Sequence, residues 1–361
     1  MKNNITFVIG KLSTGGAERV VSILANLFSR KGYKVYIYML FGTEVIYEIE
    51  PNVTIEAISH RSKFRIVRMI YKITTLRKKI KKNHSLKVIS FLYDCNIYTI
   101  ISTIMLKKVD VIVSERNNPY TEPNNYWLKK IRNFSYLFSD KVVFQTEEAK
   151  NYFRQSIVRK GTIIMNPLNP NIGDPIFSDR SNVIIGIGRL EDQKDFQTLI
   201  KAFNIVQLKH KDYTLNIYGD GPLIKELMGL CVQLGIDDKV VFKGFSKDIY
   251  SEIKKSKIFV LTSKFEGISN ALIECMSLAI PSISTDCPIY GSRMLIDNGY
   301  NGFLCPVGDF QEISNKICHI IENPDLYDFI STNSYKIREK LKPEYIFEQW
   351  EKVIYDINNK K

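Results

Sequence analysis

The residues best suited by type and spacing to do chemistry are two glutamates, Glu266 and Glu274, with seven residues between them. They bracket the turn Gly267-Ile268-Ser269-Asn270, which follows the apolar run 257–263 and opens a helix. That run reads as a buried strand, so the turn lies at a strand's carboxyl end, where open α/β sheets bind their ligands. A helix start there presents backbone N–H groups to an anion, and phosphate is the natural guest. Asn270 and Glu274, four apart, share one helical face. Taken singly, Glu266 reads equally as a helix cap and Glu274 as a solvated helical residue. Glu274, however, is embedded among Leu272, Ile273, Cys275 and Met276, and a carboxylate in so apolar a helix needs polar partners.

Other clusters fit an anionic ligand. Strand 5–9 runs into a turn containing Gly15 and Gly16, and adjacent glycines let a backbone approach a diphosphate closely. Strand 183–188 ends at Gly188 and is followed by Arg189 and Lys194, two positive charges of the kind a departing diphosphate needs where no metal neutralises it. Without the glutamate pair these would read as surface cations. Gly219 and the run Lys243-Gly244-Phe245 close two more strands. No D-x-D carboxylate pair occurs, and no G-x-G-x-x-G opens a helix after a strand, which disfavours a nicotinamide-dependent dehydrogenase.

The E-x7-E strand-turn-helix, with these pieces in the same order, resembles the retaining GT-B glycosyltransferases of glycosyltransferase family 4, in particular bacterial enzymes that extend undecaprenyl diphosphate-linked glycans. The resemblance spans the chain and is most specific from Gly186 to Gly308. It implies an α/β GT-B fold of two doubly wound Rossmann-like domains facing a central cleft. Residues 1–166 would form the acceptor domain, 167–180 a linker, 181–342 the nucleotide-sugar domain, and 343–361 a helix packing back on the first domain. By the same resemblance Glu266 lies beside the donor sugar and Glu274 binds the ribose. Arg189, Lys194 and the amides of Gly267, Ile268, Ser269 and Asn270 hold the diphosphate, while Gly15, Gly16, Gly188, Gly219, Lys243, Gly244 and Phe245 line the donor site. Where many members have Ser-Glu-His, this chain has Ser114-Glu115-Arg116. An arginine is no general base at neutral pH, so Arg116 would act electrostatically on the donor or on an acceptor pyrophosphate, or else pair structurally with Glu115 or Glu122. Asp94, after strand 88–92, is a second candidate.

Positioning these residues requires two series of alternating strands and helices. Strands are expected near 5–9, 34–40, 53–58, 86–92, 109–114, 141–145 and 162–165, and again near 183–188, 213–218, 240–242, 257–262, 282–285 and 303–305. A length of 361 residues accommodates two cores. Six scattered cysteines without C-x-x-C spacing read as reduced core residues, and four scattered histidines show no ligand spacing. The N-terminus enters a strand at once, leaving no room for a signal peptide, and no apolar run is long enough to span a bilayer.

Charge is concentrated in one half: residues 1–170 sum to about +16 and 171–361 to about −3, within a total of +13. Arg61, Lys63, Arg65, Arg68, Lys72, Arg77, Lys78, Lys79, Lys81, Lys82 and Lys87 fall in one segment that has no acidic residue and is interleaved with Phe64, Ile66, Val67, Met69, Ile70, Tyr71, Ile73, Leu76 and Ile80. This reads as a basic amphipathic helix whose partner is an anionic membrane or a lipid-linked acceptor, against a plain solvated face. No motif supports nucleic acid as a partner. The expected function is a cytoplasmic retaining glycosyltransferase, peripheral to the inner face of the cell membrane. It would use a UDP-sugar and no metal or other cofactor, and would build capsule, O-antigen or glycoprotein glycans on a lipid carrier. The alternatives are a GT-B nucleotide-sugar epimerase, a soluble glycan synthase or, least favoured, a non-catalytic nucleotide-binding protein.

Overall fold

The computed structural model describes residues 4–13, 15–177, 180–246 and 248–357; Thr14 of the Gly15-Gly16 turn lies outside them. The chain forms two compact units, residues 1–167 with 343–361 and residues 168–342. Unit 1 is built on strands β1 (Ile5–Ile9), β2 (Val35–Met39), β3 (Thr54–Ala57), β4 (Lys87–Phe91), β5 (Asp110–Ser114), β6 (Lys141–Phe144) and β7 (Gly161–Ile163). They pair in parallel in the order β3-β2-β1-β4-β5-β6-β7. Unit 2 is built on β8 (Val183–Ile187), β9 (Thr214–Tyr218), β10 (Val240–Gly244), β11 (Ile258–Leu261), β12 (Ser282–Thr285) and β13 (Phe303–Cys305), again parallel, in the order β10-β9-β8-β11-β12-β13. These are the expected doubly wound sheets. Central strands such as Ile5–Ile9 and Ile258–Leu261 are buried throughout, which is why they read as continuous apolar runs rather than alternating ones.

Each sheet reverses its direction of winding between two neighbouring strands, β1 and β4 in unit 1 and β8 and β11 in unit 2. The loops beyond the carboxyl ends diverge at such a switch point and leave a crevice. The crevice loops of unit 1 include the Gly15-Gly16 turn and the residues after Phe91; those of unit 2 include 188–195 and 262–270.

Four helices of unit 1 matter below: α1 (Gly16–Arg30), α2 (Arg65–Lys82), α3 (Tyr93–Thr103) and α4 (Tyr126–Ser135). Helix α3 packs between α2 and α4 in one layer. The C-terminal helix Pro343–Asp356 packs on α1 with Phe347 4.6 Å from Phe28, and buries Trp350 against Phe91 at 5.4 Å.

The basic segment forms α2 as expected, but three of its cations are engaged by the protein itself. Lys79 meets Glu56 of β3, so a counter-charge reaches the segment from a neighbouring strand. Arg77 donates to the carbonyls of Ser102 at 2.9 Å and Ile104 at 2.7 Å. Lys87 belongs to β4, where it is buried against Asp110 at 2.5 Å as a core ion pair.

Candidate active site

In unit 2 the carboxyl ends of the switch-point strands β8 and β11 are stitched together by polar contacts. The Thr262 hydroxyl donates to the carbonyls of Lys194 and Asp195, each at 2.9 Å. The Gln193 amide donates to the Phe265 carbonyl at 2.9 Å, and the Lys264 N–H returns to the Gln193 carbonyl at 2.8 Å. The short turn Asp192–Lys194 is thereby fixed against the loop that carries Glu266, and the Lys194 ammonium meets the Glu266 carboxylate. Ser263 donates to the same carboxylate oxygen at 3.2 Å. Glu266 thus holds a neighbouring cation in place at the mouth of the crevice.

Directly after it, Gly267, Ile268 and Ser269 form a buried turn into the helix Asn270–Ser277, whose N-cap Ser269 accepts from the Leu272 N–H. The loop from β12 lies hard against this turn, since a Cβ on Gly291 would fall on the Gly267 carbonyl. In that loop Ile289 and Tyr290 adopt left-handed backbone, with φ of 69° and 55°. For a β-branched residue this is strain of roughly 1–2 kcal/mol, of a kind that collects at ligand clamps. Glu274, one turn into the helix, is only 5% exposed and accepts a hydrogen bond from the Tyr250 hydroxyl at 3.0 Å. Tyr250 in turn accepts from the Asn169 amide at 2.6 Å.

The remaining unit 2 candidates divide. The ends of β8, β9 and β10 interlock: a Cβ on Gly219 would overlap the Gly188 carbonyl, and the Gly219 N–H donates to the Gly244 carbonyl at 2.8 Å. Lys243 and Phe245 are exposed at that edge. Arg189 is not brought to Glu266; its side chain is 67% exposed and lies 3.2 Å from Glu191. An open groove of about 610 Å³ beside Asp286, Arg293 and Val307 touches none of these residues. Among the described residues, the grouping of metal-ligand type, His210 with Cys318 and Glu322, sits where a helix leads into the amino end of β9. That is the sheet edge opposite the crevice.

In unit 1, Gly15 caps α1 and Gly16 is its first residue, with the Glu18 carboxylate lying where a Cβ on Gly15 would sit. Leu92, just past β4, has φ 73° and ψ 143°, a region suited to glycine. Beside it the Asp94 carboxyl accepts from the Cys95 N–H at 2.8 Å, and burial pushes its pKa up.

The structural pairing of Arg116 with Glu115 or Glu122 is not what forms. The Glu115 carboxylate, itself pushed up by burial, accepts from the Tyr136 hydroxyl at 2.8 Å and lies 3.7 Å from Arg132, whose guanidinium also holds the Glu122 carbonyl. Arg116 is instead 8% exposed, with its guanidinium 4.9 Å from the Phe91 ring centre and 5.6 Å from that of Trp350. Its Nη1 donates to Asn166 at 2.8 Å, while Nε and Nη2 are buried without a hydrogen-bond partner. Those two nitrogens form one edge of the guanidinium, the edge that grips a carboxylate or phosphate bidentately. Burial pulls its pKa down to about 9.

On α2 the cations Arg65, Arg68, Lys78, Lys81 and Lys82 are exposed, as are Arg61 and Lys63 before it, while the Lys72 ammonium sits 4.2 Å above the Phe41 ring. Phe64, Ile66, Val67, Met69, Ile70 and Tyr71 are exposed along its first half. Among the described residues no helix is long and apolar enough to cross a membrane.

Two family models adjoin along the chain: Glycosyltransferase Family 4 over residues 14–171, and Glycosyl transferases group 1 over residues 171–337. The chain belongs to the family 4 glycosyltransferases. This glycosyltransferase is 28% identical to a Campylobacter jejuni GalNAc-alpha-(1->4)-GalNAc-alpha-(1->3)-diNAcBac-PP-undecaprenol alpha-1,4-N-acetyl-D-galactosaminyltransferase, over 98% of this chain and 99% of the relative. It is 24% identical to the amylovoran biosynthesis glycosyltransferase AmsD of Erwinia amylovora, over 97% and 99%. In structure it resembles the Anabaena protein HepE, solved with UDP and glucose, with a TM-score of 0.83 at 17% identity, covering 98% of this chain and all of that one. The fold is that of the GT-B glycosyltransferases.

Asn169, Tyr250, Gln193, Thr262 and Ser263 were not singled out by the sequence, because no motif spacing marks them. Asn169, Tyr250 and Gln193 act from loops or helices distant in sequence from the glutamates, whereas Thr262 and Ser263 lie just before Glu266 at the end of an apolar strand.

Proposed function

We propose that this glycosyltransferase is a retaining enzyme that moves a hexose or N-acetylhexosamine from a UDP-sugar to a lipid-linked glycan at an anionic membrane surface. The observation that carries the reading is the Lys194–Glu266 pair at the β8/β11 switch point, directly before a buried glycine turn that opens a helix. Without donor, Glu266 holds the Lys194 ammonium in place. With donor, Lys194 and the turn amides stabilise the diphosphate as the glycosidic bond lengthens, Arg189 swings in from solvent to add a second charge, and no metal is needed. Glu266 then faces the sugar ring hydroxyls and the developing oxocarbenium charge, while Glu274, braced by Tyr250, accepts from the ribose hydroxyls. Acceptor attack comes from the face the diphosphate leaves, its phosphate oxygen taking the acceptor proton, which retains configuration. Arg116 offers its unpaired edge to a phosphate or carboxylate of donor or acceptor. The names of the Campylobacter relative and of the UDP-bound Anabaena structure support the choice of acceptor class and nucleotide.

The test is transfer from a panel of UDP-sugars to undecaprenyl diphosphate-linked saccharides, with the product anomer read by NMR and a parallel reaction in chelator. An α-linked product from an α-donor, formed undiminished in chelator, is expected. An inverted product, epimerisation without transfer, or an absolute requirement for magnesium or manganese would overturn the corresponding part.

A further inference from the structure

We infer that α4 is a second bilayer-docking element, laid beside α2 in the helix layer of unit 1. Helix α4 is amphipathic with the wrong side out. Its inward anchor is Arg132, fully buried, donating to the carbonyls of Glu122 at 2.5 Å and Pro119 at 3.0 Å and lying 5.1 and 5.0 Å from the rings of Tyr152 and Phe153. Its outward stripe, Trp127, Ile131 and Phe134 with Phe138 just beyond, repeats at intervals of three and four residues. Trp127 is 72% and Phe134 64% exposed. A helix ordinarily turns such a stripe to the core, and a contiguous exposed apolar surface marks a contact with something else.

The chemistry of the flanks selects the occupant. Lys129 and Lys130 lie on the helix, no acidic residue occurs from 123 to 139, and unit 1 carries the positive excess of the chain, so the surface complements an anionic bilayer. Tyr126 and Trp127 sit together at one end, as aromatic residues do at a membrane interface. Continuity supplies the third argument. Helices α2, α3 and α4 each return the chain to the start of the next parallel strand, so all three point their N-termini to the carboxyl edge of the sheet. The exposed apolar half of α2 and the Tyr126–Ile131 half of α4 therefore flank α3 at the same edge, and one plane can meet both. This inference rests on the membrane reading of α2 but concerns a different helix.

The chain supplies its own probe, because its two tryptophans are the exposed Trp127 and the fully buried Trp350. Vesicles containing phosphatidylglycerol should blue-shift the emission, brominated acyl chains should quench it, and Trp127→Phe should abolish both changes. Purely zwitterionic vesicles should do neither. Replacing Trp127, Ile131, Phe134 and Phe138 together by serine should weaken flotation about tenfold or more, with far-UV circular dichroism unchanged because all four are exposed. If the wild type floats with anionic vesicles while Trp127 stays unquenched, α4 is not in the bilayer and this inference fails, with the α2 reading intact. If it never floats, both fail. A blue shift that instead grows with protein concentration in the absence of lipid, with dimers in sedimentation, would assign the face to a second copy and overturn the proposal.

Discussion

Arg116 is a residue costly to the fold whose place in the proposed function would account for that cost. A buried cation with one neutral acceptor and one bare edge opposes folding, and replacing it by an apolar residue of similar volume removes that cost. Arg116→Met should therefore stabilise the protein by about 1–2 kcal/mol at neutral pH while lowering turnover by roughly 10²-fold, measured by denaturant unfolding and initial rates. The pH dependence has a definite sign. Burial lowers the folded-state pKa to about 9 from 12.5, so above pH 9 the unfolded wild type binds more protons than the folded one. The advantage of the variant should accordingly be full at pH 7 and shrink as pH rises through 9. For the glutamates, Glu274→Ala should weaken UDP binding about tenfold or more and Tyr250→Phe only a few-fold. Glu266→Ala should leave UDP affinity near wild type and depress turnover about 10²-fold. Calorimetry with UDP beside steady-state rates separates the two roles, and unchanged UDP affinity in the Glu274 variant would remove its ribose assignment. The glutamates were legible because seven residues, a glycine turn and a strand announce them. Tyr250 was not, since its helix lies two elements upstream and only the fold brings its hydroxyl to Glu274.

At the scale of elements, hydrophobic period reveals that a helix has two faces without saying which one turns inward. Helix α2 was readable because eight of its 18 residues are cations and none is acidic, yet its apolar first half faces out and only Leu76 and Ile80 of the helix are buried. Helix α4 was not readable at all. Its aromatic stripe has the spacing of a core face, and the core contact is made instead by Arg132 reaching backbone carbonyls. The strands were legible for the opposite reason, because a parallel sheet buried on both faces needs no choice of side. The cations of α2 consequently fall into two groups that mutation should distinguish. Arg65→Gln with Arg68→Gln should weaken flotation on phosphatidylglycerol vesicles, each charge contributing roughly 1 kcal/mol, and leave thermal stability unchanged. Lys79→Gln breaks the contact with Glu56 and should show mainly as a small loss of stability. Equal flotation by wild type and the double arginine variant would reduce the first half of α2 to a solvated face.

Across the whole molecule, charge follows the division into units, with the positive excess in the half that carries α2 and α4 and a slightly acidic balance in the half that carries the glutamate pair. Attraction to an anionic surface acts through exposed charges and is screened by salt, whereas a diphosphate gripped by Lys194 and a buried turn is screened much less. The two substrates should therefore respond differently to ionic strength. Raising salt from 0.1 M to 1 M shortens the Debye length from about 10 Å to about 3 Å. Over that range the apparent KM for an acceptor embedded in anionic vesicles should climb steeply, while the KM for the UDP-sugar changes far less. With the same acceptor in neutral detergent micelles the salt dependence of its KM should largely vanish, because the anionic surface proposed to attract the α2 and α4 cations is gone. An acceptor KM that rises equally in vesicles and micelles would mean that salt acts at the catalytic crevice itself, and that the basic half of the chain does not bring the enzyme to its substrate.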